Sequence, residues 1–200
     1  FSSDAANLVA DDTNAANDVF IVNRLTGQIS RISLGWDLSE ADGDSRTPSI
    51  SGDGRYVAFT SDATNLVNGS IVWSPALYVR DLDTGTNEIV SFSWDGTAED
   101  GNSWYPHMSA NGWHVAFISN STNLVADDGN SSNDVFMRDL DLGITARASV
   151  ASGGIEGDGR SGGFGISADG RFAGIFSDAT NLVPGDTNGV PDGFVRDLDL

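Results

Sequence analysis

The sequence contains no cysteine among its 200 residues, so it can form neither disulfides nor thiolate metal sites. Basic residues are scarce as well, because ten Lys and Arg stand against 29 Asp and Glu, for a formal net charge of −19. Nucleic acids and anionic membranes are bound by clusters of positive charge, so neither is an expected partner. The chain also lacks the run of about 18 apolar residues that a transmembrane helix needs, so we expect no membrane insertion.

The residues that are present form a 58-residue repeat without insertions or deletions. A segment ending in Asn-Leu-Val closes at Val9, Val67, Val125 and Val183, each 58 residues after the one before. A second block keeps the same spacing and reads NDVFIVNRL, PALYVRDLD, NDVFMRDLD and PDGFVRDLD. Because self-similarity at a fixed period is typical of repeat architectures, the repeat unit is the key to the fold.

Each repeat carries the signals of short β-strands. In the second repeat, segments 49–51, 55–60, 77–82 and 88–93 are rich in β-branched and aromatic residues and are separated by Asp-Gly and Thr-Gly turns. Four antiparallel strands repeated around an axis form the blade of a β-propeller. A β-solenoid or a pair of sandwiches fits less well, because solenoid coils are shorter and sandwiches do not repeat at constant spacing.

We therefore expect an all-β protein, a partial β-propeller of about three and a half four-stranded blades. The expected single domain spans residues 1–200, with blades at about 1–46 (incomplete), 47–104, 105–162 and 163–200 (incomplete). An open stack of blades exposes its end faces, so the chain should belong to a longer propeller or associate with copies of itself.

Two segments also resemble a known family. PSISGDGRYVAFTS from Pro48 and PHMSANGWHVAFIS from Pro106 are similar to TolB-type propeller repeats, the WD-repeat-like blades of bacterial envelope and secreted proteins. The resemblance covers the whole chain, although Phe164 stands where the fourth copy would have the proline. It implies a propeller and a bacterial, extracytoplasmic origin. It does not imply one activity, because a fold alone does not define a function.

The loop before the third strand holds the pattern Asp-x-Asn-x-x-x-Asp in three of the four copies. In the remaining copy the three positions are Ser70, Val72 and Ala76, so both carboxylates and the amide are replaced together. The candidate metal ligands are Asp12, Asn14, Asp18, Asp128, Asn130, Asp134, Asp186, Asn188 and Asp192.

Carboxylate and amide oxygens at alternating positions are typical calcium ligands. The stretch DTNGVPD resembles the tail of the calcium loop of integrin-type propeller blades, but Ala10, Ala126 and Pro184 replace that loop's first ligand. Asx-turns without any ion are the alternative, since Asp and Asn often cap their own backbone. The concerted loss in repeat two favours calcium, which would stabilise the loops.

Other recurring residues suggest weaker hypotheses. Acidic segments at Glu40 and Asp42, Glu99 and Asp100, and Glu156 and Asp158 are expected to be solvated turns. Trp104 and Tyr105 are candidate ligand-binding residues, because exposed aromatic rings can stack on sugars, although packing between blades is the alternative role. Neither His107 nor His114 belongs to a recognisable catalytic motif, and we expect no enzyme activity.

The leading functional hypothesis is a non-catalytic, extracytoplasmic bacterial propeller that binds a partner or acts as a scaffold and is stabilised by calcium. The alternatives are a propeller domain that gates substrate for a larger secreted hydrolase and a calcium-assisted, lectin-like module. The sequence does not identify the protein or glycan partner.

Overall fold

The structure is a computed structural model that describes residues 1–69 and 75–198, without the side chain of Phe164. Ser70 and Val72, which entered the comparison of the repeats, therefore lie outside the described residues. The described chain is built of strands, and it contains no helix that could span a membrane. The strands are β1 (Ser2–Ser3), β2 (Asp18–Val22), β3 (Ile29–Arg31), β4 (Ser45–Ile50), β5 (Tyr56–Ser61), β6 (Ala76–Asp81), β7 (Thr86–Ile89), β8 (Ser103–Met108), β9 (His114–Ser119), β10 (Asp134–Asp139), β11 (Ile144–Arg147), β12 (Ser161–Ile166), β13 (Phe172–Ser177) and β14 (Asp192–Asp197).

These strands form four successive antiparallel sheets, each made of neighbours in the chain. Their orders are β1-β2-β3, β4-β5-β6-β7, β8-β9-β10-β11 and β12-β13-β14. The first strand of each later sheet contacts the first strand of the next, β4 against β8 and β8 against β12. The first strands therefore lie along a common inner edge, and the sheets follow one another as the blades of a β-propeller, as the repeat predicted.

The core lies between the sheets rather than within one of them. Three clusters of buried residues occupy the three junctions between successive sheets. In the second and third sheets an aromatic pair bridges the two middle strands, with ring centroids 6.0 Å apart for Phe59 and Tyr78 and 5.8 Å apart for Phe117 and Phe136. The middle strands are buried on both faces, which explains their nearly continuous apolar sequences.

The outer and inner strands differ from the sequence-based prediction. The predicted outer strand 88–93 is wrong in its bounds, because β7 ends at Ile89 and Phe92 instead forms an isolated bridge with Ala98. The inner strands begin earlier than predicted and carry a β-bulge at the same register, where Thr47 and Tyr105 have φ values of 51° and 53°. A bulge bends a strand, so the same bend recurs along the inner edge.

Candidate functional site

The candidate ligands lie at one edge of the stacked sheets, where two kinds of segment meet. The long loops precede β2, β6, β10 and β14, and they comprise residues 4–17, 62–75, 120–133 and 178–191, of which 70–74 are outside the described chain. The return segments, residues 32–44, 90–102 and 148–160, lead from the last strand of one sheet to the first strand of the next. Any site at this edge therefore combines residues from both kinds of segment.

In the first sheet the three predicted ligands surround an arginine. Asp18 is fully buried at the start of β2, and its carboxylate accepts hydrogen bonds from Ser33 Oγ at 2.5 Å and Asn14 Nδ2 at 3.1 Å. Nη1 of Arg31 lies 3.1 Å from Asp18 Oδ2 and 3.6 Å from Asp12 Oδ1. The guanidinium thus supplies the positive charge among these oxygens.

The return segment completes this first cluster through Glu40. Arg31 Nη1 donates to Glu40 Oε1 at 2.6 Å, and Arg31 Nη2 donates to the carbonyl of Asp11. Hydrogen bonds from the hydroxyl and the amide of Thr13, together with Arg31, lower the pKa of Glu40 to about 2. Burial opposes the charged form of Arg31, but Glu40 and Asp18 outweigh it, so the pKa of Arg31 is raised.

The third sheet repeats the arrangement with the same residue types. The buried carboxylate of Asp134 accepts from Ser149 Oγ at 2.5 Å and from Asn130 Nδ2 at 3.0 Å. Arg147 forms an ion pair with Glu156 and lies 3.4 Å from Asp128 Oδ1. The two clusters are thus the same unit of two aspartates, one asparagine, one glutamate and one arginine, 116 residues apart.

The second of these clusters has the donor set for a hard metal ion. One carboxylate oxygen each of Asp128, Asp134 and Glu156 lies within 4.8 Å of the others. Two oxygens that are each about 2.4 Å from one calcium ion are at most about 4.8 Å apart, so this group can hold such an ion. Burial raises the pKa of Asp128 to about 7, although Arg147 opposes the shift. A bound cation would stabilise the ionised form of Asp128, but it would compete with the Arg147 guanidinium for the carboxylates.

Repeat two loses the arginine and the glutamate together with the predicted ligands. Ile89 stands at the register of Arg31 and Arg147, and Ala98 at that of Glu40 and Glu156. The calcium hypothesis rests on the joint loss of the predicted ligands in repeat two. The same repeat also lacks the arginine, which is the cation of the other two clusters. An intramolecular ion-pair cluster explains this joint loss as well as a metal does, because removing one charged member leaves the others buried without compensation.

A different carboxyl group occupies this junction. Glu99 is 2% exposed, and the hydroxyls of Ser91 and Ser103 donate to its two oxygens at 2.6 Å, while Ser121 donates at 3.1 Å. Burial raises its pKa to about 7 in spite of these three donors. The prediction that Glu99 lies in a solvated turn is wrong, because its side chain points into the junction between the second and third sheets.

The last copy of the predicted ligand pattern is more open. Asn188 Nδ2 donates to Asp192 Oδ2 at 2.7 Å, and Asn188 Oδ1 accepts from the amide of Val190 at 2.9 Å, as in an Asx-turn. Asp186 lies in the same loop, half-buried.

One aspartate in each return segment binds the motif Thr-Asn-Leu-Val of the following long loop. Asp42 accepts from both the amide and the hydroxyl of Thr64 at 2.6 Å, and Asn65 Nδ2 donates to the carbonyl of Glu40 at 2.7 Å. Asp100 and Asp158 bind Thr122 and Thr180 in the same way. We call the two hydrogen bonds from the amide and the hydroxyl of one threonine to one aspartate a threonine clasp. These clasps explain why the Thr-Asn-Leu-Val motif recurs.

The candidate aromatic residues lie on the inner strand of the third sheet. Trp104 is half-buried and pairs with Ile118 of β9, whereas Tyr105 is 57% exposed at the bulge. The two side chains differ sharply in exposure, so only Tyr105 offers a ring that is mostly free to stack on a ligand.

Sequence reasoning missed the roles of Arg31 and Arg147 and the contacts of Glu40 and Glu156. The signal was present, since all four recur at the repeat spacing and are absent together from repeat two. It was overlooked because the arginines lie at the ends of outer strands, about 20 residues from the loops they bind.

Comparison with solved structures identifies the fold class of the chain. It is similar to a prolyl endopeptidase (13% identity, TM-score 0.51), over 92% of this chain and 25% of that one. It is also similar to the tricorn protease (13%, 0.50), over 91% and 15%. A putative TolB from Agrobacterium tumefaciens shares 19% identity over 94% of this chain and 53% of its own, with a TM-score of 0.45.

At these identities the likeness concerns the fold alone, and it agrees with the sheet order in defining a β-propeller. The β-propeller fold that the resemblance to TolB-type repeats implied is confirmed. No protein-family profile matches the chain, and no curated protein matches it in sequence. The chain spans between 15 and 53% of the three solved proteins, well under two thirds of each.

Proposed function

We propose that this β-propeller segment is a non-catalytic module that binds a partner or acts as a scaffold outside the cytoplasm. The observation that supports this role is the double attachment of the return segments. On one side Arg31 and Arg147 hold Glu40 and Glu156, and on the other side the threonine clasps hold the next acid along the chain. Loops fixed in this way on a rigid scaffold are well suited to recognition.

The surface held by these contacts is acidic and carries exposed aromatic rings. Trp36 and Trp94 lie at the same register of successive return segments and are 55% and 64% exposed. Large exposed aromatic side chains are typical anchors of protein and glycan interfaces.

The binding test is a glycan array run with and without calcium, using wild type and Tyr105→Ala. Calcium-dependent binding that Tyr105→Ala abolishes would replace the scaffold role with the lectin-like one.

Non-catalytic behaviour is tested directly with chromogenic peptidase, esterase and glycosidase substrates. We expect no turnover above that of a buffer control. Turnover that co-purifies with the protein and is lost on mutation of one pocket residue would overturn this part of the proposal.

We further propose that the metal which the cluster of Asp128, Asp134 and Glu156 can hold is calcium. The donors are all hard oxygens, the burial of Asp128 favours a nearby cation, and millimolar external calcium suits a weak site. The Asp12 and Asp186 loops carry the same pattern and belong to the same proposal. Binding at the third sheet requires the guanidinium of Arg147 to move away from the carboxylates.

Thermal unfolding with calcium or with excess chelator tests this proposal. Calcium should raise the melting temperature of wild type, because it binds the folded state alone. The rise should be larger in Arg147→Ala, in which the competing guanidinium is gone, and smaller in Asp134→Asn with Glu156→Gln, in which only the Asp12 and Asp186 loops remain. Identical melts of wild type and Arg147→Ala in calcium and in chelator would leave these clusters as ion pairs without a metal.

A propeller domain of a larger secreted hydrolase is the second candidate. It is favoured by the likeness to two peptidases, of which the chain covers only 25% and 15%. Peptidase assays on the complete natural protein distinguish the two candidates. Cell fractionation with an antibody tests the expected extracytoplasmic location.

A further inference from the structure

A cavity opens between the second and third sheets, at the edge opposite the acidic loops. It has a volume of about 200 Å³. Tyr56 and Trp113 line it from the two sheets, with ring centroids 6.3 Å apart and planes inclined by 46°. A Cβ at Gly112 would lie 2.8 Å from Tyr56 Cδ2, so a glycine is needed there for the Tyr56 ring to sit at this wall.

Two carboxylates line the same cavity, and their electrostatic states differ. Asp81 is bound by Nε and Nη2 of Arg55 at 3.0 and 2.7 Å, so its charge is compensated. Glu88 lies on the outer strand β7, where it is exposed although it lines the cavity. Within the described chain Glu88 and Arg138 do not form an ion pair. Glu88 is therefore the cavity carboxylate whose charge no salt bridge among the described residues compensates.

The next junction contains the same cavity with a different lining, which makes it an internal comparison. At the matching positions Arg171 replaces Trp113, Ala146 replaces Glu88 and His114 replaces Tyr56. That cavity also measures about 200 Å³. The volume of the cavity thus follows from the repeat, whereas the aromatic pair and a carboxylate at the position of Glu88 belong to one junction only; the second carboxylate of the other cavity is Asp169.

We propose that the cavity between Tyr56, Trp113 and Glu88 binds the alkylammonium group of a small organic cation. Aromatic faces attract such cations through their quadrupole, and a carboxylate beside the rings adds a direct charge interaction. Tyr56 already attracts one cation, because the Arg55 guanidinium lies 4.8 Å from its ring centroid. The site lies at the other edge of the sheets from the candidate calcium ligands, and it does not depend on the proposed scaffold role.

The experiment titrates the protein with choline and with its uncharged isostere 3,3-dimethylbutan-1-ol, at mildly alkaline pH and constant ionic strength. Binding is followed by the indole N–H resonance of Trp113, which is assigned by its loss in Trp113→Leu, and by calorimetry. We expect saturable binding of choline and affinity for the alcohol that is about tenfold weaker.

The variants separate a built site from general attraction to an acidic protein. Glu88→Gln and Trp113→Leu should each weaken choline binding about tenfold. Asp141→Asn removes one charge from an exposed turn at the same edge and should change the affinity less than about twofold. Equal affinity for choline and the alcohol, an equal effect of Asp141→Asn and Glu88→Gln, or no saturable shift would each overturn the proposal.

Discussion

At the residue scale, Glu99 shows how one repeat provides a different hydrogen-bond acceptor for the equivalent serine hydroxyl. In the first and third sheets, Ser33 and Ser149 donate to an aspartate at the start of the third strand. In the second sheet that aspartate is Ala76, and Ser91 donates to Glu99 instead. Ser121, which also donates to Glu99, is replaced by alanine in the neighbouring copies. Glu99 and Ser121 therefore act as a pair that belongs to this junction.

The buried Glu99 predicts a dependence of stability on pH. Its pKa of about 7 exceeds the ordinary value of 4.5, so the folded state holds a proton that the unfolded state releases. The resulting stabilisation is complete below pH 4.5 and is lost as the pH rises through 7, a change of about 3 kcal/mol at most. Urea unfolding across this range should show a smaller loss in Glu99→Gln than in wild type, because only the contribution of Asp128, whose pKa is also raised to about 7, then remains.

Ser121→Ala provides the matched control for this prediction. Its hydroxyl lowers the pKa of Glu99, so its removal should raise that pKa further and extend the loss of stability to higher pH. Parallel pH profiles of wild type and Glu99→Gln would contradict the prediction.

At the scale of elements, the return segments join one sheet to the next through contacts on both sides. The segment of residues 148–160 shows both contacts, since Glu156 binds Arg147 of the sheet before it and Asp158 binds Thr180 of the sheet after it. The arginine cluster is buried, with 6% of the Arg147 side chain exposed, whereas the clasp is at the surface. The two contacts should therefore differ in their contribution to stability.

Arg147→Ala should destabilise the protein by about 3 to 5 kcal/mol, because it leaves buried carboxylates without a cation. Arg160→Ala is the control, since Arg160 is 67% exposed and lies 3.6 Å from Asp178, and it should cost no more than about 1 kcal/mol. Chemical denaturation in the absence of calcium measures both. Equal effects of the two substitutions would show that the buried cluster contributes no more to the free energy of unfolding than an exposed ion pair does.

Thr180→Val should remove the hydroxyl bond of one clasp at a cost of about 1 kcal/mol, because that hydroxyl donates to an exposed carboxylate at 2.8 Å. Thr145→Val is a suitable comparison, since that hydroxyl accepts from Arg138 at 3.2 Å within one sheet. Hydrogen exchange should show faster opening of the 148–160 segment in Thr180→Val only. Unchanged exchange in that segment would contradict a joining role for the clasp.

At the scale of the whole molecule, the face of the last sheet differs from the equivalent faces inside the stack. Val195 is 76% exposed, whereas Met137 and Val79 at the same register are 0% and 4% exposed. Those two residues are covered by the following sheet of the repeat. The exposed face at Val195 therefore has the shape that packs against another sheet of this repeat. A second copy of the chain carries such a sheet.

We accordingly propose that residues 1–200, expressed alone, self-associate as their concentration rises. Val195→Glu should keep it monomeric, because a charge on the exposed face opposes burial. Leu142→Glu is the matched control, since Leu142 is also exposed, at 63%, but lies in a turn. Sedimentation equilibrium measures the mass, and a wild type that stays monomeric up to millimolar concentration would contradict this expectation.

Much of the fold follows from local sequence, because the 58-residue period, the Asp-Gly turns and the apolar middle strands are each encoded within a few neighbouring residues. The same repetition placed Asp12, Asp128 and Asp186 at equivalent positions. What fills the space between their carboxylates depends on residues distant in the chain, since Arg31 and Arg147 reach the loops from outer strands. The burial of Glu99 likewise results from the packing of two sheets. Repeats, turns and strand patterns depend on neighbouring residues and can be read from the sequence. The partner of a buried charge comes from a distant part of the chain, so only the packing of the sheets determines it.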